Sequence, residues 1–280
     1  MRHTPRTAAA SALLAASLLH AGAALSQEAM ANQFIKGGDE TLTLDLGGIL
    51  NQFNTSLQLN GTTSQGTDIG LEGAGLKKQN SSFEAGATWR FLSRNRIDVL
   101  YFQAKRSGGK TLNRDIDIDG TVIPVNATLD VEAKDSFLLA DYRFSFVKTP
   151  TIEFAGLLGF YGGQFKYNVN ASAQGSHPVQ FSTTASTTVP LPVIGATLDW
   201  YINPRWKVSG NVSGMKANIG DVDGSVLIAG AATEYMLLRN LGVGLAYMYS
   251  DVSADVTKSD FNGSLGWKTN SVRMYGQFKF

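Results

Sequence analysis

The chain has 280 residues, room for one large domain or two small ones, with 24 basic and 23 acidic residues and no cysteine. A charge balance this even gives no support for nucleic-acid binding. Without cysteine there is no disulfide framework, no thiolate site and no N-terminal cysteine to carry a lipid anchor.

The chain opens with Arg2 and Arg6, followed by an uncharged Ala- and Leu-rich run from Ala8 to Leu25. Ala24-Leu25-Ser26 then puts small residues at both positions a signal peptidase reads, so residues 1–26 are expected to be a cleaved signal peptide and Gln27 the mature N-terminus. The run is long enough to span a membrane as a helix, but His20 and Gly22 interrupt it and the cleavage-like site ends it. Without residues 1–26, 22 basic residues remain against 23 acidic ones, a formal charge of −1. Residues 27–40 are expected to form a short periplasmic segment, and residues 41–280 the folded domain.

After residue 26 no apolar stretch reaches 18 residues, and no long segment shows helical periodicity. Period two recurs instead. Leu138, Ala140, Tyr142, Phe144 and Phe146 alternate with Leu139, Asp141, Arg143 and Ser145. Ile194 to Ile202, Trp206 to Gly214 and Leu241 to Tyr249 alternate in the same way. Side chains of a strand point alternately to opposite faces, so each segment has one apolar face and one polar or small face. Some of these segments are long: Asn126 to Phe146 is extended over about twenty residues, against the usual five or six.

Short breaks fall at Leu92-Ser93-Arg94-Asn95, Lys148-Thr149-Pro150, Asn203-Pro204 and Arg239-Asn240. Glycine-rich and polar connections are expected near residues 60–80, 108–125, 168–188, 218–224 and 251–263. Short turns at one end and long loops at the other are the layout of a transmembrane β-barrel. Aromatics flank the short turns: Trp89 and Phe91, Phe144 and Phe146, and Trp200, Tyr201 and Trp206. Such rings favour a membrane–water interface. The breaks divide the chain into five hairpins, 41–92, 94–147, 149–202, 204–238 and 240–280. Ten strands follow, with eight or twelve as alternatives, and the strand in 41–60 should meet the strand in 265–280 to close the sheet. The expected fold class is therefore all-β, a closed antiparallel transmembrane β-barrel.

The last strand, Ser271 to Phe280, ends on Phe and repeats the alternation back through Phe278, Met274 and Val272. It resembles the C-terminal strand of Gram-negative outer-membrane β-barrel proteins, the porin-like and OmpA-like superfamily. The resemblance implies outer-membrane localisation, contact with outer-membrane lipid and lipopolysaccharide, and recognition of Phe278 and Phe280 by the barrel-assembly machinery. The sequence departs from the pattern at Gly276, where a bulkier residue is usual. No soluble peptidoglycan-binding domain is expected after Phe280.

The polar faces carry Glu84, Arg90, Asp98, Asp141, Arg143, Glu153, Asp199, Arg205, Lys207, Glu234 and Arg273. In a bore of about ten strands, opposite charges should pair, because an isolated buried charge is costly. The expectation is a lumen charge network that largely plugs the barrel; a selectivity-setting polar path is the rival. No enzyme activity is expected. The sole histidine after residue 26, His177, sits between Gly, Ser and Pro in a loop, a poor frame for a general base. Metal-ligand spacing is absent, and Asp115-Ile116-Asp117-Ile118-Asp119-Gly120 reads better as a strand with one charged face than as a calcium loop. Gly47-Gly48 and Gly162-Gly163 read as bulges or close strand packing, since no helix follows them to form a phosphate loop. No cofactor is implied, and no solute is named. The functional expectation is a structural barrel or narrow passive pore; the alternative is a surface-binding barrel acting through its loops.

Overall fold

A computed structural model describes residues 38–173, 178–259 and 261–280. The signal-peptide reading over 1–26, most of the 27–40 segment and His177 lie outside the described residues.

The elements are, in order, β1 (Leu42–Leu59), β2 (Ile69–Gly70), β3 (Gln79–Leu92), β4 (Asn95–Thr111), β5 (Ile116–Ile118), β6 (Thr121–Ile123), β7 (Thr128–Lys148), β8 (Ile152–Ala173), β9 (Val179–Asn203), β10 (Trp206–Ile219), β11 (Val222–Met236), β12 (Leu241–Lys258) and β13 (Phe261–Lys279). The long strands pair antiparallel with their neighbours in the order β1, β3, β4, β7, β8, β9, β10, β11, β12, β13. β13 then pairs with β1 from Thr43↔Lys279 to Leu59↔Gly263, so the sheet forms a ring. The backbone N–H groups of Thr41 and Leu42 both donate to the Phe280 carbonyl, extending that seam to the last residue.

Four short turns gather at one end of the ring, which we call the turn end. They fall where Ser93-Arg94, Thr149-Pro150-Thr151, Pro204-Arg205 and Leu237-Leu238-Arg239-Asn240 interrupt pairing. Pro has no N–H for the ladder, and Asn203 Oδ1 accepts from the backbone N–H groups of Arg205 and Trp206, turning the chain. At the opposite, loop end, Asp119 and Gly120 both have positive φ and close the β5–β6 hairpin. Asp-Gly suits the two-residue turn that requires this geometry.

The extent of the expected loops is corrected. The segments near 168–188 and 251–263 are mostly strand, because β8, β9, β12 and β13 run on well past the apolar stretch. Residues 66–75 belong to the connection expected near 60–80, with only Ile69–Gly70 paired. Of the two readings of Gly47-Gly48 and Gly162-Gly163, the unshifted register excludes bulges, and close packing holds at Gly47 and Gly163 but not at Gly48 or Gly162.

A second correction matters most for function. One face of each strand was expected to be apolar throughout, but the sense of the alternation inverts partway along. On β7, Leu138, Tyr142 and Phe144 point outward and are exposed, opposite inward Asp141 and Arg143. Toward the loop end of the same strand, the outward residues are Asp130, Glu132 and Lys134, and the buried inward ones Leu129, Val131 and Phe137. β8 repeats the change, from outward Phe154, Leu158 and Phe160 to outward Lys166, Asn168 and Asn170 over buried Tyr167, Val169 and Ala171. Strict alternation keeps the chain in one register while the two environments change places. The turn-end half is apolar outside and polar inside. The loop-end half is polar outside with an apolar core.

Candidate functional site: a layered interior

At the turn end the interior is a charge lattice. Arg96 and Asp98 on β4 face Arg143 and Asp141 on β7 in register, Arg opposite Arg and Asp opposite Asp. Directly opposite like charges repel, so the contacts run along and across the strands instead. Arg143 Nε lies 3.3 Å from Asp98 Oδ2 and also pairs with Asp141, while Arg96 Nε lies 3.4 Å from Asp98 Oδ2. Arg96 reaches further, with Nη1 at 2.9 Å from Asp199 Oδ2 and 3.7 Å from Glu153 Oε1. Arg90 grips Glu153 with both guanidinium N–H arms, at 2.9 and 3.0 Å, and the Ser145 hydroxyl donates to the same carboxylate. Two-pronged contact of this kind is among the stronger charge-assisted arrangements.

On the other side of the ring, Lys207 Nζ sits 2.8 Å from Glu234 Oε2 across the β10–β11 pair, and the Tyr275 hydroxyl donates to Glu234 Oε1 at 3.2 Å. Arg273 Nε pairs with Glu84. Arg205 lies half-buried in the β9–β10 turn. Gly38 to Glu40 fold against this end: Lys148 Nζ donates to the Gly38 carbonyl at 2.6 Å, and Glu40 is buried. Among these groups lies a cavity of about 200 Å³, lined in part by Asp45, Arg96, Asp98, Arg143, Lys207 and Arg273.

Above the lattice, aromatic rings pack inside the bore. Phe102 of β4 stacks on Phe137 of β7 at 4.7 Å, Phe165 of β8 lies 4.3 Å from Trp267 of β13, and Trp267 also meets Phe137 at 5.5 Å and Tyr161 at 5.9 Å. All five are buried, Trp267 with 3% of its surface exposed. Burying such a side chain contributes on the order of 2 kcal/mol or more. Tilted and edge-on packing of this sort adds further attraction.

A second ionic group lies nearer the loop end. Arg106 Nη1 is 2.8 Å from Glu72 Oε1, and its Nη2 is 3.2 Å from Asp135 Oδ2 and 3.1 Å from Thr55 Oγ1. The guanidinium also lies 4.0 Å from the Phe53 ring centre. Glu72 comes from the β2–β3 connection and accepts from the Thr55 backbone N–H at 2.7 Å, tying that connection to the wall. Burial pushes the Asp135 carboxyl up to about 6, against the downward pull of Arg106. Over this cluster Leu71, Leu76, Ile116, Ile118 and Ile123 pack as a lid, leaving a void of only about 10 Å³ among Leu57, Leu71, Ile118, Leu129 and their neighbours.

Of the charges named from sequence, Arg90, Glu153, Asp98, Asp141, Arg143 and Asp199 meet in one lattice, joined by Arg96, which sequence reasoning missed. Lys207 with Glu234 and Arg273 with Glu84 form separate pairs. Arg106, Glu72 and Asp135 were also missed. The signal for Arg96 was present, two residues from Asp98 on the same face. Asp135 and Arg106 sit among apolar inward neighbours, so nothing in the pattern marked them. Phe278 is exposed on the outer wall and Phe280 at the turn end. Among the described residues no His, Cys, Asp and Glu cluster is placed to hold a metal ion.

No family model matches the chain, and no curated protein matches it. Solved structures do. The outer membrane protease OmpT from Escherichia coli superposes with a TM-score of 0.56 at 8% identity, over 89% of this chain and 100% of that one. The translocator domain of the autotransporter NalP from Neisseria meningitidis gives 0.48 at 12% identity, over 97% and 100%. The toluene transporter TbuX of Ralstonia pickettii gives 0.40 at 9% identity, over 86% and 90%. The chain has the fold of the outer-membrane β-barrels, an all-β ring of antiparallel strands.

Proposed function

We propose that the protein is an integral outer-membrane β-barrel of ten strands with a sealed bore, a structural surface-displayed element and neither an open pore nor an enzyme. The aromatic layer around Trp267 carries the reading: it closes the bore between two ionic clusters, and the apolar lid closes it again. Ten strands leave little room to begin with. The outward band from Leu44, Trp89, Tyr142, Trp200 and Val243 supports the membrane placement, with aromatics at its turn-end edge. On this reading the turn end faces the periplasm and the loop end the exterior.

The inversion on β7 supports surface display. From Thr128 to Ser136 the outer wall is water-compatible, standing roughly 30 Å along the strand beyond the band. A surface-binding role through this projecting part is the second reading. The partners are outer-membrane lipid and lipopolysaccharide, with the assembly machinery engaging Phe278 and Phe280. No cofactor, nucleic acid or transported solute enters.

Because the chain has no cysteine, single cysteines report topology cleanly. Thr184→Cys and Lys134→Cys on intact cells should react with a membrane-impermeant maleimide, and Leu198→Cys should not. Equal labelling at Leu198→Cys would refute the membrane placement.

A further inference from the structure

Two features of the outer wall coincide. The first is a row of like charges. Lys105 on β4 is directly opposite Lys134 on β7, which is directly opposite Lys166 on β8. All three side chains are outward and exposed, and none has an ion-pair partner among the described residues. Directly opposite like charges destabilise a sheet, so three in a row call for an anion. The nearest outward acidic residue on these strands, Glu132, already accepts from Asn168 Nδ2 at 3.4 Å. The row lies two outward positions beyond Tyr101 and Leu138, the edge of the apolar band. That is about 13 Å along the strand, less in height because strands tilt.

The second is a seam. β3 and β4 pair only from Leu92↔Asn95 to Glu84↔Phe102, although β3 continues to Gln79 and β4 to Thr111. Beyond that point a single side-chain bond, Asn80 Nδ2 to the Lys105 carbonyl at 2.9 Å, bridges the gap next to the Leu76↔Gly108 contact. The separation opens an outward groove of about 430 Å³ with Leu46, Phe83 and Tyr101 on its walls and Gln103 and Lys105 at its rim. Phe83 is 88% exposed, and Asn80 Oδ1 has no hydrogen-bond partner.

We propose that this wall is a specific site for a phosphate-bearing outer-leaflet lipid, with an acyl chain in the β3–β4 groove and headgroup phosphate on Lys105, Lys134 and Lys166. The site rests on the membrane placement above. The groove supplies apolar contact at the height of the band's edge, and the lysines supply cations where a headgroup lies. Basic groups near an anionic membrane surface each strengthen lipid binding about fivefold.

The test uses the full-length mature protein refolded into phosphatidylcholine vesicles containing bis-phosphorylated lipid A or the same lipid without phosphates. Insertion is read first by protection from protease. Native mass spectrometry after gentle extraction then counts retained lipid. Wild type should retain the phosphorylated form selectively, each Lys→Gln change at 105, 134 or 166 should weaken retention about fivefold, and the triple change about a hundredfold. Lys134→Arg should retain it. Lys216→Gln, an outward lysine opposite Ser225 on β10–β11, should have no effect. The triple variant loses repulsion, so it is expected to fold at least as well as wild type. Equal retention by the triple variant, equal retention of the dephosphorylated lipid, an equal effect of Lys216→Gln, or full displacement by inorganic phosphate would each overturn the site. Failure to insert would overturn the membrane placement and the site together, whereas insertion without selectivity would overturn the site alone.

Discussion

Arg96 on β4 and Asp199 on β9 form a 2.9 Å ion pair across the bore, with β7 and β8 lying between their strands in the wall. Arg96 also contacts Asp98 and Glu153, so one guanidinium offsets three carboxylates in a site where its side chain is 5% exposed. Removing one partner of a buried ionic group leaves the others uncompensated, at a cost of about 3–5 kcal/mol. Arg96→Met should lower the unfolding free energy of the refolded barrel by that amount, read as a lower denaturant midpoint at unchanged slope. The double change Arg96→Met with Asp199→Leu should recover part of the loss, because it also removes a stranded charge. A midpoint unchanged in Arg96→Met would show that the lattice does not hold the turn end together.

Tyr275 lies opposite Gly47 on one side and Gly244 on the other; its ring occupies the space left at Gly244, while its Cβ and backbone crowd Gly47. A Cβ at position 47 would stand 2.3 Å from the Met274 carbonyl oxygen and 2.6 Å from Tyr275 Cβ, contacts that only backbone movement can relieve. Gly47→Ala should therefore destabilise the β1–β13 seam by about 1–3 kcal/mol. At Gly48, a Cβ would meet nothing nearer than 3.9 Å, so Gly48→Ala is the control and should be close to neutral. Unfolding midpoints of the two variants, measured side by side, decide the matter; equal midpoints would contradict this packing.

Asp135 lies beyond the apolar band, and burial raises its carboxyl from 3.8 to about 6. The folded chain thus holds this proton more firmly than the unfolded chain does. The resulting stabilisation is complete below about pH 3.8 and is lost as the pH rises through about 6. Asp135→Asn cannot titrate. The stability difference, wild type minus Asp135→Asn, should fall between these two pH values and be flat on either side. A difference that rises over that window would mean that Arg106 dominates and the carboxyl is held low.

Much of the turn-end half was legible in sequence. Asn95, Pro150, Pro204 and Asn240 mark turns by simple backbone chemistry, and five hairpins follow from their spacing. The loop-end half was harder to read for a physical reason. Residues such as Lys166, Asn168 and Asn170 are polar and face water, so they resemble a loop until Tyr167, Val169 and Ala171 are seen to fill the core between them. Alternation survives the inversion, but composition does not distinguish an outward polar face from a connection. The interior clusters were legible only within one strand. Arg96 and Asp98 share a face by spacing, whereas Arg96 with Asp199, or Arg106 with Glu72, depends on ring closure and on a connection folding inward. The aromatic layer assembles from four strands, and no local pattern announces it.

The central claim, a sealed bore, is tested most directly by current across a planar bilayer carrying the refolded protein, with wild type beside the double change Phe137→Ala and Trp267→Ala. These truncations remove the two rings that link the layer, at about 3–5 kcal/mol each. Wild type should give no steady current. The double variant should give small, fluctuating openings, because the lid and the ionic clusters still obstruct the path. A large, steady, ohmic conductance in wild type, unchanged by the truncations, would contradict the sealed barrel and establish an open pore.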